Sequence, residues 1–111
     1  MTAILKAFSR FAEPLVEPEI ESVIEGVCQH FGVKPADIRR KDRRTRTVFI
    51  RHMAMYACRR LTSHGTITIG KALRRDHTSV LYACRTIEET MEAYPDFRKQ
   101  VEELIKKMGG K

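Results

Sequence analysis

Every long apolar pattern in this chain repeats with the spacing of a helix. Ile20, Val23, Ile24, Val27 and Phe31 step by three and four residues, which places them on one face of a 3.6-residue repeat. Gly32 is placed to end that helix, and Pro35 to open a single helical turn over Pro35–Ile38. Ile50, Ala54, Ala57 and Leu61 form a second stripe, widened by Phe49, Met53 and Cys58. Thr66 is expected to N-cap a short helix running through Leu73, and Asp76 a longer one with Val80, Cys84, Ile87 and Met91 inside. After the break at Tyr94-Pro95, Asp96 is expected to cap a last helix that buries Phe97, Val101, Leu104 and Met108. Thr66-Ile67-Thr68-Ile69 alternates briefly, but no partner strand exists for it. An all-α helical bundle with one core is the expected fold for these 111 residues.

Three segments are expected. Residues 1–17 form an N-terminal helical extension, with Ile4, Leu5, Phe8, Phe11 and Leu15 at helical spacing before Pro14 and Pro18 interrupt. Residues 18–108 form the folded domain, and residues 109–111 a disordered tail. No apolar run approaches the roughly 18–20 residues that cross a bilayer, and the first residues lack the core of a secretion signal. Cys28, Cys58 and Cys84 are three and lie far apart, which fits a reducing cytoplasm better than a disulfide framework. Cys28 and His30 are one close pair without a second at zinc-ligand spacing, so no metal or other cofactor is implied.

The net charge of +7 is unevenly placed. Residues 34–60 hold ten basic and two acidic groups, residues 71–85 four basic and one acidic, while both ends are slightly acidic. A solvated helix face usually mixes signs, so a block this one-sided reads as an anion-binding surface rather than a solubility patch. Arg39 to Arg46 contains no apolar residue and reads as a basic loop.

A short helix, a tight connection and a longer helix make a helix-turn-helix, here about Thr66–Leu73 and Asp76–Met91. In such units the first helix braces across the DNA backbone, and the second puts its N-terminal residues into the major groove. Asp76 can accept from a cytosine amino group, His77 can donate or pack on a thymine methyl, and Thr78 offers a hydroxyl and a methyl. Arg75 and Ser79 suit phosphate. The bland alternatives are an N-cap role for Asp76 and a surface role for His77. Catalysis by Asp76-His77 is set aside, because adjacent residues on a helix rarely face each other and no nucleophile completes a triad.

Ile69-Gly70, Arg75-Asp76-His77-Thr78-Ser79-Val80-Leu81, Ala83-Cys84-Arg85 and Ile87-Glu88 resemble the C-terminal DNA-binding domain of the bacterial chromosomal replication initiator DnaA. Upstream, Arg44-Thr45-Arg46, Arg51, Met53-Ala54-Met55-Tyr56 and Arg60-Leu61-Thr62 match the same domain in order, so the resemblance runs from about Ile20 to Met108. It implies a helix-turn-helix of the Trp-repressor kind that reads an initiator-type box in double-stranded DNA. Asp76, His77 and Thr78 would read major-groove bases, and Ser79 would hold phosphate. Arg44, or its neighbour Arg43, would enter the adjacent minor groove. Arg51 and Arg59 stand where the family has phosphate ligands, and Arg46, Lys71 and Arg74 are expected to join them.

The chain also departs from the family. Leu73-Arg74 replaces a Phe-Gly-Gly, one residue shorter and without glycine, so the turn must differ. His52 stands in place of a usual Gln, and Thr66-Ile67 in place of a common Leu-Pro. No Gly-x-x-x-x-Gly-Lys-Ser/Thr loop occurs, so no P-loop ATP site can be assigned. A small stand-alone protein is expected, an excised domain being the other reading. Sequence-specific binding of double-stranded DNA in replication control or transcription is the leading expectation. The alternative is a protein-interaction module whose residues 1–17 grip a partner or a second copy.

Overall fold

The computed structural model describes residues 18–109, so the expected helix within residues 1–17 and the end of the tail lie outside the described residues. Six helices follow in order: α1 Ile20–Phe31, α2 Pro35–Arg39, α3 Thr45–Leu61, α4 Thr66–Ala72, α5 His77–Ala93 and α6 Pro95–Lys107. Among the described residues there is no strand, as the periodicity required. None of these helices is long and apolar enough to cross a membrane.

Helix α3 is the axis of the fold. It packs against all five other helices. Ile50, Met53, Ala54, Met55, Tyr56, Ala57, Cys58 and Leu61 are all buried along it, so it is covered on most sides rather than along one stripe. Helices α1 and α5 each pack on it, and Val23, Ile24 and Val27 from one and Val80, Ala83 and Ile87 from the other belong to a single core. Phe49 bridges two aromatic neighbours at the edge of this core, with ring centroids 5.7 Å from Phe31 and 6.0 Å from Phe97. Arg60 ties α3 to α6 through a two-pronged pair with Glu102 and donates to the Tyr56 hydroxyl.

Three helix starts and ends have local causes. Gly32 ends α1 in the left-handed region at φ 74, with its N–H on Gln29 O and that of Val33 on Cys28 O. The expected cap Thr66 is corrected to Gly65: the Gly65 carbonyl accepts the first helical bond, from Ile69 N at 3.1 Å, and Thr66 is already helical. Asp96 is likewise corrected to Tyr94, whose carbonyl accepts from Arg98 N at 3.1 Å. Pro95 then occupies the first helical position, where its missing N–H has no intrahelical partner to lose, and Asp96 sits in the first turn, where a carboxylate meets the positive helix end.

Candidate nucleic-acid interface

Helices α4 and α5 form the expected helix-turn-helix, over Thr66–Ala72 and His77–Ala93. The turn between them is tight. Leu73 N donates to Gly70 O, Arg74 N to Lys71 O, and Arg75 N to Gly70 O at 2.8 Å. Leu73 is fully buried beneath it. Gly70 is required by close approach: a Cβ there would stand 2.5 Å from the Arg75 carbonyl oxygen and 3.2 Å from the Asp76 backbone. This constraint comes from the start of the next helix, so helical spacing alone does not announce it. Arg74 carries the other constraint, at φ 58. It performs the left-handed turn that glycine would make more cheaply, and it leaves an exposed basic side chain there.

Asp76 N-caps α5. Its Oδ1 accepts from Ser79 N at 3.0 Å and from the Thr78 hydroxyl at 2.7 Å. The Thr78 bond first, and the Ser79 N–H second, hold this carboxyl below its usual range. Both of these bonds fall on Oδ1, and the Ser79 side chain is close enough to lower the carboxyl further. Asp76 and His77 share no hydrogen bond. His77 and Thr78 are exposed on the first turn of α5, and Ser79 is half-buried behind them. One turn further along, Leu81 and Tyr82 stand four residues from His77 and Thr78 and are 45% and 59% exposed, which continues the same polar-to-apolar face. Tyr82 lies outside the apolar stripe of α5, and its four-residue spacing from Thr78 is the signal in the sequence that places it on this face. Its ring meets His52 edge-on at 5.7 Å. Arg51, His52, Met55, Arg75, Thr78, Ser79 and Tyr82 line an open recess of about 400 Å³ between α3 and α5.

The basic block divides into two groups. Arg51 and Arg75, expected as phosphate ligands, donate to backbone carbonyls around the loop before α3. Arg51 is only 6% exposed. Its Nε donates to Ile38 O at 2.7 Å and its Nη2 to Arg40 O and Asp42 O, both at 3.0 Å. Burial, with the nearby charge of Arg75 second, pulls its pKa below the ordinary guanidinium value. Arg75 donates to Arg40 O at 2.8 Å and, more loosely, to the carbonyls of Arg39, Leu73 and Arg74. The two guanidinium groups share the Arg40 carbonyl, which fastens the loop before α3 beside the start of α5. Buried carbonyls need donors, and these two side chains supply them to Ile38, Arg40 and Asp42.

Other members of the block are also engaged. Arg39, already within α2, donates to Ala72 O at 2.8 Å and pairs with Glu21. Arg40 pairs with Asp37, Arg44 with Asp42, and Arg46 donates to Phe31 O at 2.7 Å. The basic loop is therefore shorter than the expected Arg39–Arg46, since α3 begins at Thr45. Lys41, Arg43, Arg59, Lys71, Arg74 and Arg85 make no side-chain hydrogen bond or ion pair with any described residue. All six are exposed. Arg59 and Arg85 face each other across a recess between α3 and α5 that Tyr56, Leu81 and Cys84 also line. Arg85 joins this recess through a surface that lies on another helix, which its chain neighbours do not announce.

The thiols sit apart from this surface. Burial pushes Cys28 and Cys84 up to about 11 and Cys58 to about 12, so all three stay protonated at neutral pH. Among the described residues, no group of three or more His, Cys, Asp or Glu side chains lies together as a metal site would require.

The molecule is thus an all-helical helix-turn-helix protein with an exposed polar start on its second helix and unpaired cations on either side. Residues 20–87 match the family described as the bacterial dnaA protein helix-turn-helix. The chain belongs to that family. It is 36% identical over 90 residues to the chromosomal replication initiator protein DnaA of Lachnoclostridium phytofermentans, covering 80% of this chain and 20% of that protein. It is 34% identical over 86 residues to the corresponding protein of Bacteroides thetaiotaomicron, covering 77% and 18%. The chain therefore spans about a fifth of the length of these relatives. Among solved structures it resembles a DNA replication initiation factor, with a TM-score of 0.74 at 35% identity over 81% of this chain and 28% of that one. It also resembles replication initiator DnaA bound to AMPPCP and single-stranded DNA, at 0.68 and 30%, over 96% of this chain and 32% of that one.

Proposed function

We propose that this protein binds double-stranded DNA sequence-specifically, at an initiator-type box, with α5 in the major groove. The observation that carries this reading is the start of α5. Asp76, His77 and Thr78 are all exposed there, on a helix start held by the Asp76 cap. Donors and acceptors at a helix start are what base edges in a major groove require. Ser79 and Arg74 stand close to that point in the chain and would hold phosphates with Lys71, while Arg59, beside Leu81 and Cys84, and Arg46 would do so further out. Charge neutralisation supplies most of the affinity and the α5 start most of the selectivity. The role is replication control or transcription regulation in the cytoplasm, by occupancy of DNA and not by catalysis.

Selection of bound duplexes from a random pool tests this reading. The wild-type chain is expected to return one short asymmetric or palindromic motif. His77→Ala and Thr78→Ala should each lose about 1–3 kcal/mol of discrimination at one base pair while retaining non-specific binding. An unchanged selected motif in both variants removes α5 as the reading helix.

A further inference from the structure

We propose that Tyr82 is a further selectivity residue of α5, meeting a thymine methyl one turn beyond Thr78, and that His52 of α3 positions its ring. This rests on the duplex binding proposed above and adds a reading residue and its support. A single exposed tyrosine ordinarily needs no explanation, so the surroundings of this one carry the case. The large apolar and aromatic side chains left exposed among the described residues are Ile67, Leu81, Tyr82 and Tyr94. Of these, Tyr82 alone lines the recess that Thr78 and Ser79 also line. It stands four residues after Thr78, about 6 Å further along the axis and on the same side of the helix. Its hydroxyl makes no hydrogen bond with any described residue. Thr78 is short and Tyr82 is long, so a tyrosine set back by one turn still reaches the groove that Thr78 meets.

An aromatic ring free to swing contributes little to recognition, because binding must also order it. His52 removes part of that freedom beforehand. It is half-buried on α3, and its ring meets Tyr82 edge-on, with centroids 5.7 Å apart and planes at 78°. Edge-to-face pairs are favourable over roughly 4.5–7 Å. His52 is itself held, since its chain neighbours Arg51 and Met53 are both buried. Arg51 and Arg75 line the same recess but are engaged by loop carbonyls. The supported phenol ring therefore offers an apolar surface beside Thr78. In a major groove the apolar feature of the base edges is the thymine 5-methyl. Leu81, exposed on the neighbouring position, lines a different recess with Arg59 and Arg85 and does not share this one.

The test is selection of duplexes by the full chain, followed by titration of the selected duplex, for wild type and variants at both positions. Tyr82→Ala should lose about fivefold or more of the preference at one base pair beside that assigned to Thr78, and keep the rest of the motif. Tyr82→Phe should keep that preference, because the ring meets the methyl. Tyr94→Ala, which removes an exposed tyrosine outside the helix-turn-helix, should leave the motif unchanged. His52→Gln should lose part of the same preference and His52→Phe should restore it. Adding His52→Gln to Tyr82→Ala should cost nothing further at that pair, which a general structural role for His52 would not produce. Uracil in place of the thymine should weaken wild type and leave Tyr82→Ala unaffected. Urea unfolding identifies any variant that has lost its fold, and the uracil titration of wild type needs no variant. An unchanged motif in Tyr82→Ala, equal weakening on every duplex, or indifference of wild type to uracil overturns the assignment while His77 and Thr78 recognition stands. A Tyr82-dependent preference that no His52 variant alters overturns the positioning role. A wild-type chain that selects no duplex overturns the functional reading itself.

Discussion

Arg51→Met separates a strut from a DNA ligand. The wild-type guanidinium is buried and supplies three bonds to the carbonyls of Ile38, Arg40 and Asp42, at 2.7, 3.0 and 3.0 Å. Hydrogen bonds to a charged group contribute roughly 1.5–3 kcal/mol each. Not all of that is lost in the variant. Arg75 still serves the Arg40 carbonyl, water can reach the exposed side of the loop, and the thioether recovers some packing. Removing the buried charge also removes its desolvation cost and its repulsion with Arg75. A net loss of about 3 kcal/mol remains, chiefly from the buried Ile38 carbonyl and the Asp42 carbonyl. For a domain of this size that lowers the unfolding midpoint by roughly 10–20 °C, readable by far-ultraviolet circular dichroism during heating or urea titration. Arg51→Lys should recover only part of this, because one ammonium cannot span three carbonyls as a planar fork does. An unchanged unfolding midpoint in Arg51→Met, together with weaker binding to every duplex, would refute the strut and return Arg51 to the phosphate ligands.

Two further outcomes follow from the turn and the α3–α5 recess. Arg74→Gly should stabilise the fold by about 0.5–1 kcal/mol, since glycine relieves a left-handed backbone but has more unfolded-state freedom. The same variant should lose about 0.9 in the salt slope of DNA binding, and a destabilised variant would contradict the assigned backbone strain. His52 has its pKa lowered from the ordinary 6.5 by burial first and by Arg51 second. Its neutral form is therefore favoured in the fold, so its effect is absent well above pH 6.5 and grows as destabilisation while pH falls through 6.5 towards the lower folded value. The thermal midpoint should drop between pH 7.5 and 5.5, and His52→Gln should flatten that drop. Asp42, Asp76 and Glu102 are shifted down, so their stabilisation is lost only below the ordinary carboxylate range and does not overlap this window.

The elements that were legible are those governed by neighbours in the chain. Apolar residues three and four apart sufficed for α1, α3, α5 and α6. Asp76 at the start of α5 could be read as a cap because its partners, Thr78 and Ser79, are two and three residues away. The misplaced caps failed for a local reason too. Thr66 and Asp96 have capping side chains, yet the backbones of Gly65 and Tyr94 already accept the first helical bonds.

Among the basic residues, composition announced an anion-binding face and could not say which cations compose it. Arg39, Arg43, Arg44, Arg51 and Arg75 are alike as letters. Their roles are set by acceptors distant in sequence, such as Ala72 O for Arg39 and Arg40 O for Arg75, or by a carboxylate whose orientation depends on the start of α3, as with Arg44. By itself the sequence determined a helical fold, a helix-turn-helix and the polar residues at the start of its second helix, because helix periodicity and capping act over a few residues. Only the tertiary structure decided that Arg51 and Arg75 hold the loop in place while Lys41, Arg43 and Arg74 make no side-chain hydrogen bond or ion pair with any described residue, because a guanidinium donates to whichever carbonyls the packed helices bring within reach.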